Sequence, residues 1–270
     1  MLGKLFKHEF KETAKRLIPL NCILIVFTLL GCIFLGTNLF QQSSLALLSV
    51  SCTILYVLSI FALFIITGVY LTIRFYKTMY SNQGYLTHTL PVSTGSILNT
   101  KILVSVFWVC IATIVTILSV FALVRVAAGV SWESMDLSHM KYVFATAFGL
   151  SVPEVFFYIG TTLILSCFSV VLMVCASLSI GQLFSQHRIL GSVAAFVAIY
   201  MVQQMVGTVI IFILGMQSSI FDFEGRTETA AAFPGFYRGM FGASLIELAF
   251  FSIVFYGVSY YLTKKKLNLE

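Results

Sequence analysis

Six uninterrupted apolar stretches, separated by charge, constrain this chain more than any other feature. They cover residues 17–40, 45–73, 102–126, 152–181, 189–216 and 241–263. A helix needs about 20 apolar residues to cross about 30 Å of hydrocarbon, and each stretch meets that length. No water competes for backbone polar groups in lipid, so a spanning segment must close its hydrogen bonds within a helix or a closed barrel. The stretches are continuously apolar rather than alternating, which argues against a barrel. The expected fold is an all-α membrane protein with six transmembrane helices. Charged residues make up 10% of the chain, against about a quarter in a soluble domain.

Charge placement sets the expected orientation. Twelve Lys and Arg fall on one side of the spans: Lys4, Lys7, Lys11, Lys15, Arg16, Arg74, Lys77, Lys101, Arg188 and Lys264 to Lys266. Arg125, Lys141, Arg226 and Arg238 fall on the other. Basic residues favour the cytoplasmic side, so both termini and the segment 74–101 are expected in the cytoplasm, beneath a plasma membrane. The loops 127–151 and 217–240 are then outside. The net charge of +6 reflects this asymmetry and gives no support for nucleic-acid binding. All six cysteines fall within spans without metal-site spacing, and they read as small packing residues.

Residues 1–16 are expected to form an amphipathic interfacial helix. At 100° per residue, Leu2, Leu5, Phe6, Phe10, Thr13 and Leu17 share one face, and Lys4, Lys7, Lys11 and Lys15 lie opposite. Such a helix rests on lipid with its lysines near anionic headgroups. The apolar run that follows is longer than the core of a cleaved signal. The six-span region is therefore 17–263, followed by a short tail, 264–270, whose lysines stop transfer.

The polar segment from Arg74 to Lys101, RFYKTMYSNQGYLTHTLPVSTGSILNTK, is long for a turn and rich in aromatic residues. Tyr76, Met79, Tyr80, Tyr85, Leu86 and Leu90 supply large side chains of the kind enriched at protein interfaces. Gly84 can break a helix after Tyr80, Pro91 disfavours helical geometry at Leu90, and Ser93 or Thr94 can cap the third span. The expected picture is two short helices joined by a bend, forming a docking surface. The plainer alternative is a loop lying on lipid.

At these two cytoplasmic segments the chain resembles the ABC-2 type permeases of bacterial ABC exporters, in the form common in Gram-positive bacteria. KLFKHEFKETAKRLIPL (Lys4 to Leu20) is similar to that family's elbow helix, and Lys4, Phe6, Lys7, Phe10 and Lys11 would be its interfacial residues. FYKTMYSNQGYLTHTLPVSTGSILNTKIL (Phe75 to Leu103) is similar to the loop that holds its coupling helix, with GYLTHTLPVS the sharpest part. The resemblance implies a partner ATPase in two copies, carrying ATP and magnesium, and a pair of permeases, identical or not. It also implies amphipathic cargo, such as an antimicrobial peptide or a phenol-soluble modulin. Asn82 and Gln83 stand where family members often carry acids, so docking here would lean on aromatic contacts.

The chain has no G-x-x-x-x-G-K-[ST] sequence, hence no phosphate cradle of its own. No cofactor, metal or catalytic group is expected on it, and any ATP-driven step belongs to a partner. Glu247, toward the outer end of the sixth span, is the one carboxylate well inside a span. It lines a translocation path, pairs with Arg238 or Arg226, or bonds a neighbouring helix. Gln203 and Gln204 in the fifth span are weaker path candidates. Glu154 reads as part of a capping box, Ser151-Val-Pro-Glu154, at the start of the fourth span. An ATP-driven exporter subunit is the leading reading. A secondary transporter would instead require similar halves with broken helices, and an intramembrane enzyme would require facing catalytic residues.

Overall fold

The computed structural model describes residues 2–36, 46–81, 93–129, 138, 141–142, 145, 150–184, 186–218 and 226–265, without the side chains of Leu2, Lys4, 46–49, 226–233 and Lys265. Among the described residues the protein is all-helical, with no strand. Six long helices follow one another: α1 Leu2–Gly36, α2 Ala46–Tyr80, α3 Thr94–Ala127, α4 Val152–Gly181, α5 Arg188–Gln217 and α6 Arg226–Lys265. Each is long and apolar enough to cross a membrane. Large apolar side chains such as Phe61, Ile65, Leu118, Ile246 and Ile253 point outward, as expected where lipid rather than water surrounds the helices. None of the six cysteines, all of them among the described residues, is in a disulfide.

The helices form two three-helix units, residues 1–134 and 135–268. In the first unit α1 and α3 run parallel in a near-constant register. Thr28 meets Ser119, Lys101 meets Glu9 and Trp108 meets Thr13, at sequence separations of 91, 92 and 95. Helix α2 runs the opposite way beside them, with Arg74 near Glu9 and Tyr56 near Ser119. The core is a stack of apolar layers, Leu17, Leu71, Val104 and Trp108 and then Leu24, Leu63 and Ala112. The Ser119 hydroxyl closes it, meeting Thr28 Oγ1 at 2.6 Å and Tyr56 Oη at 2.5 Å. Hydrogen bonds between membrane helices contribute about 0.6–2 kcal/mol each. Two residues past the end of α3, Gly129 has a φ of 62°, open to glycine at little cost.

In the second unit α4 and α6 run parallel, with Tyr158 stacked on Phe241 at 5.7 Å. Helix α5 returns antiparallel, placing Gly181 against Ser192, and Gly207 beside Glu247. Helix α4 starts as the sequence indicates. Ser151 is its N-cap, and its N–H donates to Glu154 Oε2 at 2.9 Å.

Four helices differ from expectation at their ends. Helix α1 is unbroken from Leu2, so the segment read as a separate elbow is the first turns of the same helix. Its apolar face covers protein: Phe6 and Phe10 pack on the layer around Trp108, with Phe10 stacked on that indole at 5.3 Å. Helices α2 and α3 extend past the apolar runs to Tyr80 and back to Thr94, which leaves Arg74 and Lys101 inside helices. Residues 226–240, expected in an outer loop, belong to α6. Ser93 does stand at the start of α3, but its hydroxyl meets Ser96 Oγ at 2.8 Å rather than a backbone donor.

A Cβ at Gly181 would lie 2.6 Å from the Ser192 backbone nitrogen, whereas one at Gly68 meets nothing within 4 Å. Overpacking of this kind costs about 1–3 kcal/mol. Gly181→Ala should therefore lower the melting temperature of the purified protein in detergent, and Gly68→Ala should leave it unchanged or raise it slightly.

Candidate functional site

The first unit concentrates its charge at one end, where α1 and α3 begin and α2 finishes. Glu9 stands at the centre. Arg74 of α2 donates to Glu9 Oε2 through Nε at 3.0 Å and Nη2 at 2.6 Å. Lys101 of α3 donates from Nζ to Glu9 Oε1 at 2.8 Å and to Thr78 Oγ1 at 2.7 Å. Arg74 Nη2 also reaches Glu12 Oε2 at 2.8 Å. One carboxylate thus uses both oxygens to hold cations from two other helices. Charge-assisted hydrogen bonds of these lengths are about twice as strong as neutral ones.

Local sequence explains the arrangement. Glu9 and Glu12 lie one turn apart on α1, a spacing that presents both to one neighbour. Thr13, the next turn along, donates its hydroxyl to the Glu9 carbonyl at 2.9 Å and accepts the Trp108 indole N–H at 2.8 Å. This fixes the rotation of α1 against α3 just above the charges. Arg16 extends the contact with α2, its guanidinium 5.4 Å from the Tyr70 ring centre. A small cavity of about 20 Å³ adjoins Glu9, Arg74, Thr78 and Lys101, room for about one water molecule.

Burial decides which contacts matter. Side-chain exposure is 7% at Lys101, 14% at Arg74 and 18% at Glu9, but 57% at Glu12. Removing one partner of a buried pair costs up to about 3–5 kcal/mol because the other charge is stranded. An exposed pair contributes about 0–1 kcal/mol. The Glu9 contacts belong to the first class and the Glu12 contact to the second.

The expected docking residues divide. Met79 is fully buried and Tyr80 is 5% exposed, so neither presents a surface in this conformation. Tyr76 is partly exposed, its ring 6.3 Å from that of Tyr80. Tyr85, Leu86 and Leu90, with Asn82 and Gln83, lie outside the described residues. In the N-terminal helix Lys7 and Lys11 are exposed, opposite the half-buried Phe6 and Phe10. Lys4 is helical, with its side chain outside those described.

In the second unit Glu247 is partly buried. It lies 13 residues from Pro234 and 17 from Lys264, the ends of its 31-residue span. A charge at the bilayer centre costs about 2.5–3.5 kcal/mol on insertion scales, and less toward either end of a span. Glu247 does not pair with Arg238, which lies 4.0 Å from Glu154 instead, and the Arg226 side chain is outside those described. Gln203 shares a half-buried face of α5 with Gly207. Gln204 lies on the exposed face and donates to Tyr200 Oη at 2.7 Å.

The sequence reading missed Glu9 and Glu12 as a site. The signal was present, since they are the only carboxylates before Glu133. No cluster of His, Cys, Asp and Glu suited to a metal occurs among the described residues. Neither protein-family models, curated proteins nor solved structures match the chain.

Glu9→Gln should lower the melting temperature in detergent strongly, and Glu12→Gln should shift it by less than about 1 kcal/mol equivalent. Combining Glu9→Gln with Arg74→Met and Lys101→Met should recover much of the loss, because no buried charge is then left alone.

Proposed function

We propose that this chain is the membrane subunit of an ATP-driven exporter of the ABC-2 type. It resides in a bacterial plasma membrane with both termini in the cytoplasm, and two permease chains pair with two ATPase subunits. One observation supports this reading above the others. Residues 81–93, which join Tyr80 to Thr94, are flanked by helices tied through Arg74 and Lys101 to a single carboxylate on a third helix. A partner pressing on that connection displaces α1, α2 and α3 together instead of bending one loop. A permease worked by a separate motor needs that rigidity.

The cargo in this reading is an amphipathic peptide. The spans are rich in aromatic residues, with 26 Phe in the chain, and nearly free of charge, which suits apolar surface better than ions or sugars. ATP and magnesium act on the partner, since this chain has no phosphate cradle.

A secondary transporter is the second reading. It is favoured by the shared order of the two units, each with its first and third helices parallel and the second reversed. Against it, none of the six helices is interrupted, whereas such transporters build their sites from broken helices.

Two measurements separate these. Tyr85→Asp with Leu86→Asp should abolish co-purification with the ATPase while the protein still elutes as a single folded species; retained co-purification overturns the docking assignment. In proteoliposomes, peptide export should require ATP and the partner. Export driven by an ion gradient with the permease alone would establish the second reading.

A further inference from the structure

Glu247 lies within the last apolar span of the second unit, and Arg238, Ser244 and Thr208 are engaged elsewhere. Arg238, nine residues earlier on α6, is about 13 Å along the axis and faces Glu154. Ser244 donates its hydroxyl to the Phe241 carbonyl, and Thr208 on α5 donates to the Gln204 carbonyl. The α5 residue facing the carboxylate is Gly207, where a Cβ would stand 3.3 Å from Oε1 and 3.4 Å from Oε2. Its N–H lies inside the α5 helix and is used there. Among the described residues no hydrogen bond or ion pair reaches Glu247. Gln203 lies one turn from Gly207 on the same face of α5.

We infer that Glu247, seated against Gly207, is a recognition site for a cationic group of the transported molecule, a lysine ammonium, an arginine guanidinium or a free amino terminus. A carboxylate inside an apolar span needs a counter-charge, and the described part of this unit offers none within reach. Glycine at 207 keeps the flank of the carboxylate open, where alanine would crowd both oxygens. The site therefore offers two carboxylate oxygens that no donor among the described residues occupies. The inference rests on the exporter reading for what brings the cation there, and it adds a charge preference to a path that is otherwise apolar.

The test uses the full chain in phosphatidylcholine nanodiscs, without the ATPase, so that its outcome is independent of the motor. Two fluorescent amphipathic peptides of leucine with lysine, or leucine with glutamate, serve as probes of binding by anisotropy. Glu247→Gln should weaken the lysine peptide about tenfold or more and leave the glutamate peptide unchanged. Glu247→Asp should restore part of the affinity. Equal loss for both peptides, or loss for neither, overturns the proposal. Should the Gln variant fail to fold, the wild-type protein decides. Labelling of Glu247 by a hydrophobic carbodiimide, read by mass spectrometry, should be blocked by the lysine peptide and untouched by the glutamate one; equal protection or none overturns it. If site recognition holds yet ATP-dependent export is absent, the exporter reading fails while the site stands.

Discussion

A carboxylate that must neutralise two cations from two different helices, with little water to share the task, fixes the first half of this protein. Glu9 has two oxygens, and each is committed to a different helix. Sliding α1 along α3 by one residue, about 1.5 Å, would break one contact before a replacement was in reach. The apolar layers alone would not enforce this. In lipid, leucine gains little by leaving hydrocarbon for a neighbouring leucine, and packing and polar contacts set helix register instead. The Thr13–Trp108 and Thr28–Ser119–Tyr56 bonds repeat the same register further along. Three sets of polar contacts therefore agree on one alignment, and the apolar layers fill the space between them.

That dependence also explains which parts of the fold were legible in the sequence. The fourth and fifth helices match their expected spans of 152–181 and 189–216 closely, because they start and stop where apolarity does. The ends of α1, α2, α3 and α6 were not legible by that rule. Each continues into polar sequence, and hydropathy has no means of telling a charged helix turn from a charged loop. At α1–α3 the difference is pairing: Lys101 stays helical and buried, and Arg74 helical and largely buried, because Glu9 neutralises them, a relation across 92 and 65 residues. The clue available was compositional, two carboxylates on a basic helix and no others before Glu133.

Aromatic side chains misled for a related reason. Tyr80 and Met79 suit a docking surface by type, but the same size and shape suit a core. Continuing α2 to Tyr80 turns both of them inward. The amphipathic pattern of residues 2–17 was read correctly as two faces. What it could not reveal is that the apolar face meets Trp108 and its layer rather than lipid.

The two halves handle charge in opposite ways, and the contrast bears on mechanism. In the first, the charges at the Glu9 cluster are matched inside the unit, and matched buried charges resist rearrangement because any intermediate strands one of them. In the second, Glu247 is held within an apolar span beside a glycine, with no internal partner among the described residues. A unit whose ions are satisfied is suited to carry force without changing shape. A unit with an unsatisfied carboxylate has a standing preference for whatever conformation, or bound molecule, supplies the missing charge. On the exporter reading, the first half then transmits displacement and the second responds to cargo. A molecule that neutralises Glu247 in one conformation better than in another biases the equilibrium between them by that difference alone.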